Sequence, residues 1–319
     1  PRRRDPEAPR IVEAVEAASA QITETLDRLL GRKDYIGRTT LLQVEQLVDE
    51  RTREFYGRTE AIKMLDALVA SSPRGVLVVA APAGIGKSAL LAHWGQECER
   101  RGATVAWHFF NRTLSRTTQP ADAMQGLLIQ LYARRGKQTE TIPTEVARLQ
   151  DALTAELQES GTPEAPVILI IDGLDEADTL FEPLTHQGLG QHVYIIASGR
   201  AEPNETPPYI QRWVSATGGG KVPVKRYDLL PLTYPEVAEW INISLLRGTA
   251  DLEARARIGD RLWRSSEGVP LFLAKIVEDL KNFSRVDEAE WQLADLNDGI
   301  ESTINVAGSE LKYKAEVVR

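Results

Sequence analysis

The run Val76-Leu77-Val78-Val79-Ala80 leads directly into Ala81-Pro82-Ala83-Gly84-Ile85-Gly86-Lys87-Ser88, and Ala89-Leu90-Leu91-Ala92 follows. An apolar run, a glycine-rich turn and a second apolar run predict strand, loop and helix in that order. A turn of this kind wraps a polyphosphate with backbone N–H groups at a helix N-terminus. In such a loop Lys87 reaches the β- and γ-phosphates, and the Ser88 hydroxyl reaches Mg²⁺. The expected phosphate-binding set is Ala83, Gly84, Ile85, Gly86, Lys87, Ser88 and Ala89. The pattern G-x-x-x-x-G-K-[ST] begins with glycine where this chain has Ala81. Alanine removes some backbone freedom there but takes away no phosphate ligand.

The rest of the chain predicts a sheet around that loop. Helices are expected at Glu60–Ala70, from the loop to Arg101, at Asp122–Arg135 and at Thr144–Ser160. Strands are expected at Gly75–Ala81, Ala103–Phe110, Val167–Ile171 and Val193–Ser198, with a short one at Val224–Asp228. The aliphatic run Val167–Ile171 has no polar alternation, as in a strand buried on both faces. Alternating helices and strands imply an α/β fold with a parallel sheet sandwiched by helices. After Leu230 only helices are expected: Tyr234–Leu246, Leu252–Ser266, Pro270–Asn282 and Glu288–Leu296. Gly268 ends one of these and Pro270 opens the next.

Ahead of the sheet, residues 1–10 are rich in Pro and Arg and are expected to be disordered. Helical spacing follows at Ile11–Leu30 and at about Thr40–Glu54. The expected organisation is 1–54 as a helical linker or docking segment and 55–230 as the nucleotide-binding α/β domain. Residues 231–300 then form a helical lid, and 301–319 a tail or the start of a further domain.

A second group of residues completes a nucleotide site. Val167-Ile168-Leu169-Ile170-Ile171-Asp172 ends a buried strand in a carboxylate, which suits Mg²⁺ opposite the loop hydroxyl. Beyond it lie Asp175 and Glu176. Either can polarise an attacking water; the reading leans to Glu176, with Asp175 supporting. Arg200, after the strand at Val193–Ser198, is placed to read the γ-phosphate and stabilise transition-state charge. Arg112 is a weaker candidate for the same task. Ligands on parallel sheets sit at the carboxyl ends of the strands, where Ser88, Asp172 and Arg200 converge.

Composition bounds the alternatives. A length of 319 residues fits about two domains. The net charge of −8 argues against broad affinity for nucleic acid or an anionic membrane. Cys98 is the single cysteine, so no intrachain disulfide forms, and it reads as a core residue. The four histidines lack metal-ligand spacing. No apolar run approaches the ~20 residues that span a bilayer, and no signal peptide is visible. A cytoplasmic protein is expected.

At this point the motifs resemble a known family. Phe55-Tyr56-Gly57-Arg58 looks like the opening motif of STAND-class P-loop NTPases. Asp172-Gly173-Leu174-Asp175-Glu176 resembles the D-G-h-D-E segment of their NACHT branch. Ser198-Gly199-Arg200 is similar to the T-S-R sensor, with one position changed. Gly268-Val269-Pro270-Leu271 resembles the G-x-P-L motif of the family's helical domain. The resemblance runs from about Phe55 to Leu280. It implies Arg58 near the base and Pro270 packed on adenine. It also implies a winged-helix domain after the lid, yet only about 40 residues follow Leu280, none of them His.

The resemblance implies an ATP-binding, slowly hydrolysing signal-transduction switch using ATP/ADP and Mg²⁺. Nucleotide state would control self-association and release of an effector, with effector and sensor domains in a longer chain. Defence or innate immunity is a common role in that family. The alternatives are an AAA+-like motor or remodeller and a non-hydrolysing nucleotide-binding scaffold. A GTPase is disfavoured because no N-K-x-D segment follows Asp172. Nucleic acid is an unlikely partner on charge.

Overall fold

A computed structural model describes residues 32–53, 55–112, 117–181, 188–215, 222, 224–244 and 252–286. The expectations for residues 1–10, Ile11–Leu30, Glu288–Leu296 and the tail lie outside them.

Five parallel strands form the sheet, in the order β2-β3-β4-β1-β5. They are β1 (Gly75–Ala81), β2 (Thr104–Phe109), β3 (Val167–Asp172), β4 (Val193–Arg200) and β5 (Val224–Asp228). The α/β class and the strand set match the sequence expectation. Two strands extend further than expected. Asp172 and Arg200 are the last residues of β3 and β4 rather than lying beyond them. Ala81 pairs with Arg200 as the last residue of β1. The alanine that departs from the phosphate-loop pattern is thus a strand residue and not a turn residue.

Alternation along each strand divides the core in two. Val76, Val78, Ala80, Leu169, Ile171, Ile195 and Ala197 face one side. They pack against α4 (Pro120–Arg134), α5 (Val146–Gln158) and α6 (Pro208–Val214). Leu77, Val79, Ile168, Ile170, Tyr194 and Ile196 face the other, against α2 (Thr59–Ser71) and α3 (Lys87–Arg100). Gly95 sits in the middle of α3 because a Cβ there would lie 2.2 Å from the Trp107 ring and 2.4 Å from Ile170 Cδ1.

The first described helix, α1 (Arg32–Thr52), begins earlier than the expected start at Thr40. The segment Arg32–Arg38 holds no proline, and its one glycine costs only about 1 kcal/mol in a helix. Val48 of α1 is buried in the core beneath α3, with Val44 and Leu47 packed beside it.

Three helices follow the sheet: α7 (Tyr234–Ser244), α8 (Leu252–Ser266) and α9 (Pro270–Val286). They enclose a separate small core of Leu232, Val237, Trp240, Ile241, Leu262, Leu273 and Ile276. Tyr56 packs on this third core, whereas its neighbour Phe55 packs on the core under α3. The short segment before α2 therefore touches both bodies.

Candidate nucleotide site

The phosphate loop takes the shape its glycines allow. Gly84 and Gly86 have φ of +77° and +91°, a region that strains any side chain. Gly86 caps α3, which begins at Lys87. Lys87 Nζ donates to the carbonyls of Ala81 (2.7 Å) and Pro82 (3.0 Å). Burial lowers the Lys87 pKa, and the nearby carboxylates of Asp175 and Asp172 oppose that shift. The lysine is thereby held between a desolvating loop and the acidic residues facing it.

Asp172 is 5% exposed. Its Oδ1 accepts a hydrogen bond from the Ser198 hydroxyl on the neighbouring strand. The same Ser198 oxygen accepts from the N–H of Gly173 at 3.2 Å. A buried carboxylate needs such partners, and here they fix its orientation at the strand end.

A single 3-10 turn, Leu174–Glu176, carries the two further carboxylates. They are held differently. Asp175 Oδ1 accepts from the Arg200 backbone N–H at 2.8 Å, and Oδ2 lies 3.7 Å from Arg200 Nε. Glu176 Oε2 accepts from the Arg112 backbone N–H at 3.0 Å. Arg112 Nη2 donates to the Asp175 carbonyl at 2.6 Å, so this arginine braces the acidic turn. The Tyr209 hydroxyl donates to the Arg200 carbonyl, and its ring lies over Gly199. A Cβ on Gly199 would come 3.0 Å from that ring, which accounts for glycine at the middle position of Ser198-Gly199-Arg200.

Arg58 is buried, at 6% exposure, in a left-handed conformation with φ of +64°. Its guanidinium donates to the carbonyls of Ile85 in the phosphate loop and of Leu230 in the connector to the lid. Its backbone N–H donates to Glu236 of α7. Burial lowers the Arg58 pKa, opposed by Glu236 and Tyr227. Glu236 also accepts from the Thr233 N–H and hydroxyl, both at 2.8 Å, as a capping box. Burial by itself would raise the Glu236 carboxyl; the bonds from Thr233 and Arg58 outweigh it and hold the pKa below the ordinary value.

Pro270 is the first residue of α9, and its ring lies 3.6 Å from where a Gly86 Cβ would stand. Next to it, the Leu271 N–H donates to the Gly84 carbonyl at 3.2 Å. The start of α9 thus contacts the phosphate loop directly.

A cavity of about 500 Å³ joins these parts. Ala83, Gly84, Gly86, Lys87, Ser88, Ala89, Asp172, Asp175, Glu176, Arg200 and Pro270 all line it. Ile85 and Arg58 do not; they lie behind the loop and shape it. Sequence reasoning missed Trp240, Glu236 and Arg51, and it singled out Ser198 only as part of Ser198-Gly199-Arg200, with no role of its own. Arg51 of α1 lines the cavity with its guanidinium 4.1 Å from the Phe109 ring centroid. Only Glu236 had a legible signal, the spacing Thr233-x-x-Glu236.

A cavity of similar size, about 510 Å³, opens at the opposite end of the sheet beside Cys98 and His192. It contains no phosphate-loop residue. Burial pushes the Cys98 thiol up to about 12, which fits the core role expected for it.

The donor set at the main cavity fits Mg²⁺. One buried carboxylate and one hydroxyl leave the remaining positions to water and phosphate oxygens, as this ion prefers. Among the described residues no group of three or more His, Cys, Asp or Glu is arranged to hold a metal. None of the described helices is long and apolar enough to cross a membrane.

The sequence profile of the AAA ATPase domain matches residues 54–217, just over half of the chain. The chain belongs to that family. No curated protein sequence matches it. Among solved structures it is similar to the Walker-type ATPase paby2304 of Pyrococcus abyssi, at 14% identity and a TM-score of 0.53. That alignment covers 84% of this chain and 76% of the other. The Orc1 protein of Aeropyrum pernix in complex with DNA aligns at 14% identity and a TM-score of 0.46, over 81% of this chain and 66% of that one. The RuvB Holliday junction branch migration motor of Thermotoga maritima aligns at 15% and 0.43, over 79% and 70%. At these identities the Pyrococcus likeness shows a common P-loop ATPase fold, and the other two carry no functional weight.

Proposed function

We propose that this chain is a nucleotide-operated switch that binds Mg·ATP and hydrolyses it slowly. The observation that carries this reading is the Arg58 link. One buried arginine bonds the phosphate loop, the connector and, through its backbone, the lid helix. A change of loop shape on nucleotide binding therefore acts directly on the lid. The motif resemblance to the NACHT branch of STAND NTPases supports the same reading. So does the separate core that α7, α8 and α9 enclose after the sheet.

In this reading Ala83–Ala89 cradle the phosphates, and Lys87 leaves the Ala81 and Pro82 carbonyls to meet the terminal phosphates. Ser88 and Asp172 hold Mg²⁺, which supplies charge neutralisation at the phosphates. Glu176 orients the attacking water and accepts its proton. Its backbone partner at Arg112 leaves the second carboxylate oxygen for that task. Arg200, turned by Asp175, faces the γ-phosphate and stabilises charge as the bond breaks.

Family membership supports an AAA+-like motor or remodeller equally. Turnover separates the two. Purified protein is incubated with Mg·ATP, with and without DNA, while phosphate release and mass in solution are followed. The switch predicts turnover well below one per second, no response to DNA, and larger assemblies with ATP for Glu176→Gln. Rapid, DNA-stimulated turnover would assign the motor instead. Unchanged nucleotide affinity in Lys87→Ala would refute both.

A further inference from the structure

Three cations line the nucleotide cavity: Lys87, Arg200 and Arg51. Lys87 bonds the Ala81 and Pro82 carbonyls, and Arg200 faces Asp175. Arg51 comes from outside the sheet, from the last turn of α1. It is half-buried. Among the described residues it has no carboxylate partner. Its Nη1 donates to the Leu47 carbonyl one turn back, at 3.1 Å. The guanidinium carbon lies 4.1 Å from the centroid of the Phe109 ring. Stacking and one bond hold the planar group in place. Most of its five N–H donors are left for another acceptor.

The sheet register places that group at the Asp172 end of the cavity. Phe109 ends β2 and pairs with Asp172, the last residue of β3. Neighbouring strands lie about 4.8 Å apart, and in-register side chains of parallel strands share a face. Phe109 and Asp172 therefore both project toward α3, whose first turn carries Ser88. Across the strand ends the row runs Arg51, Phe109, Asp172 and Ser198. α1 is anchored at this point. Val48 is buried in the core under α3, and Gln96 Nε2 of α3 donates to Asp49 at 2.9 Å. A phosphate held by Ser88 and Asp172 would sit at the end of the cavity that Arg51 lines. A guanidinium with donors to spare suits its oxygens, which it can bind through two parallel bonds.

We infer that Arg51 binds the terminal phosphate of a nucleoside triphosphate, so that ATP, and not ADP, clamps α1 onto the nucleotide domain. The inference rests on the nucleotide-binding reading of the cavity and goes beyond it by naming the element that the γ-phosphate controls. Arg58 follows shortly after Arg51 in the chain, and between them Phe55 stacks on His93 of α3 at 4.1 Å. A clamped α1 thus also steadies the stretch whose Arg58 bonds the phosphate loop and α7.

The test measures Mg·ATP and Mg·ADP affinity for wild type and Arg51→Ala, and backbone amide exchange over residues 44–52 with β,γ-imido-ATP or ADP bound. Arg51→Ala should bind ATP about tenfold more weakly or worse, the scale of a hydrogen bond between charged groups. Its ADP affinity should stay within about twofold of wild type. In wild type those amides should exchange at least about threefold more slowly with imido-ATP than with ADP, and Arg51→Ala should abolish the difference. Equal losses of ATP and ADP affinity would mark a merely structural role and overturn the inference. Unchanged ATP affinity in Arg51→Ala also overturns it. So does equal exchange of α1 with the two nucleotides in wild type, whether or not the variant folds. Lys87→Ala keeps the underlying reading separate: it should lose ATP and ADP together, and if it loses neither, the nucleotide-binding reading itself fails.

Discussion

The Glu236 carboxylate of α7 accepts a hydrogen bond from the backbone N–H of Arg58, just ahead of α2. The approach is possible because Gly57 has no side chain: a Cβ there would stand 2.9 Å from Glu236 Cβ, and its φ is +69°. Gly57→Ala should therefore push α7 away from Arg58. The expected result is release of a fluorescent ADP analogue at least five times faster than from wild type. Thr233→Val serves as the comparison. It removes the hydroxyl bond to Glu236 at the start of α7 but leaves the Arg58 link, so release should stay near the wild-type rate.

Asp175 and Glu176 are adjacent, yet their bonds predict different losses. Glu176→Gln should lower turnover by about 10²–10⁴ while ATP affinity stays within twofold. Asp175→Asn should lower turnover by releasing Arg200. The double variant Asp175→Asn/Arg200→Ala should then be no worse than Arg200→Ala alone, because the two act as a unit. Single-turnover phosphate release measures each.

The Ser198 hydroxyl is the described side-chain partner of the buried Asp172 carboxylate. Ser198→Ala should weaken the Mg²⁺ dependence of ATP binding by about tenfold, the usual scale for a partner behind a metal ligand. Binding in excess EDTA should be unchanged. Titration of Mg²⁺ at fixed ATP shows the difference.

His108 on β2 is neutral in the fold, its pKa held at about 4 mainly by burial, although Nε2 bonds the Thr117 carbonyl at 2.9 Å. In the unfolded chain the value is about 6.5. The folded value is depressed, so the unfolded state takes up the proton first as pH falls. Stability contributed by the neutral ring is then present above pH 6.5 and lost toward pH 4. Between pH 7 and 5.5 the loss from this residue is about 1 kcal/mol. Urea unfolding at those two values should show a drop for wild type that is smaller by about that amount in His108→Gln.

Gly95→Ala places a methyl group inside the Trp107 and Ile170 side chains. Overpacking of this kind costs about 1–3 kcal/mol or more, and the gain in helix propensity returns about 1 kcal/mol. The urea midpoint should fall.

Much of the site was legible in the sequence because its parts are local. Loop, hydroxyl and lysine are contiguous at Gly84–Ser88, and glycine at two left-handed positions is a steric requirement visible in the letters. Asp172 could be placed because an aliphatic run ending in a carboxylate has few other meanings. The sheet followed from alternation of apolar runs. The sequence by itself thus determined the fold class and the phosphate end of the cavity. It did not determine which groups are bonded to which. The different bonding of Asp175 and Glu176 depends on where the β2 and β4 strand ends fall beside one turn. The role of Ser198 depends on strand order, which brings β4 next to β3. Arg58 and Glu236 are 178 residues apart in sequence. Those features arise from long-range packing, which sets distances between residues that no local pattern relates. The tertiary structure alone decided how the phosphate loop is joined to α7 and α9.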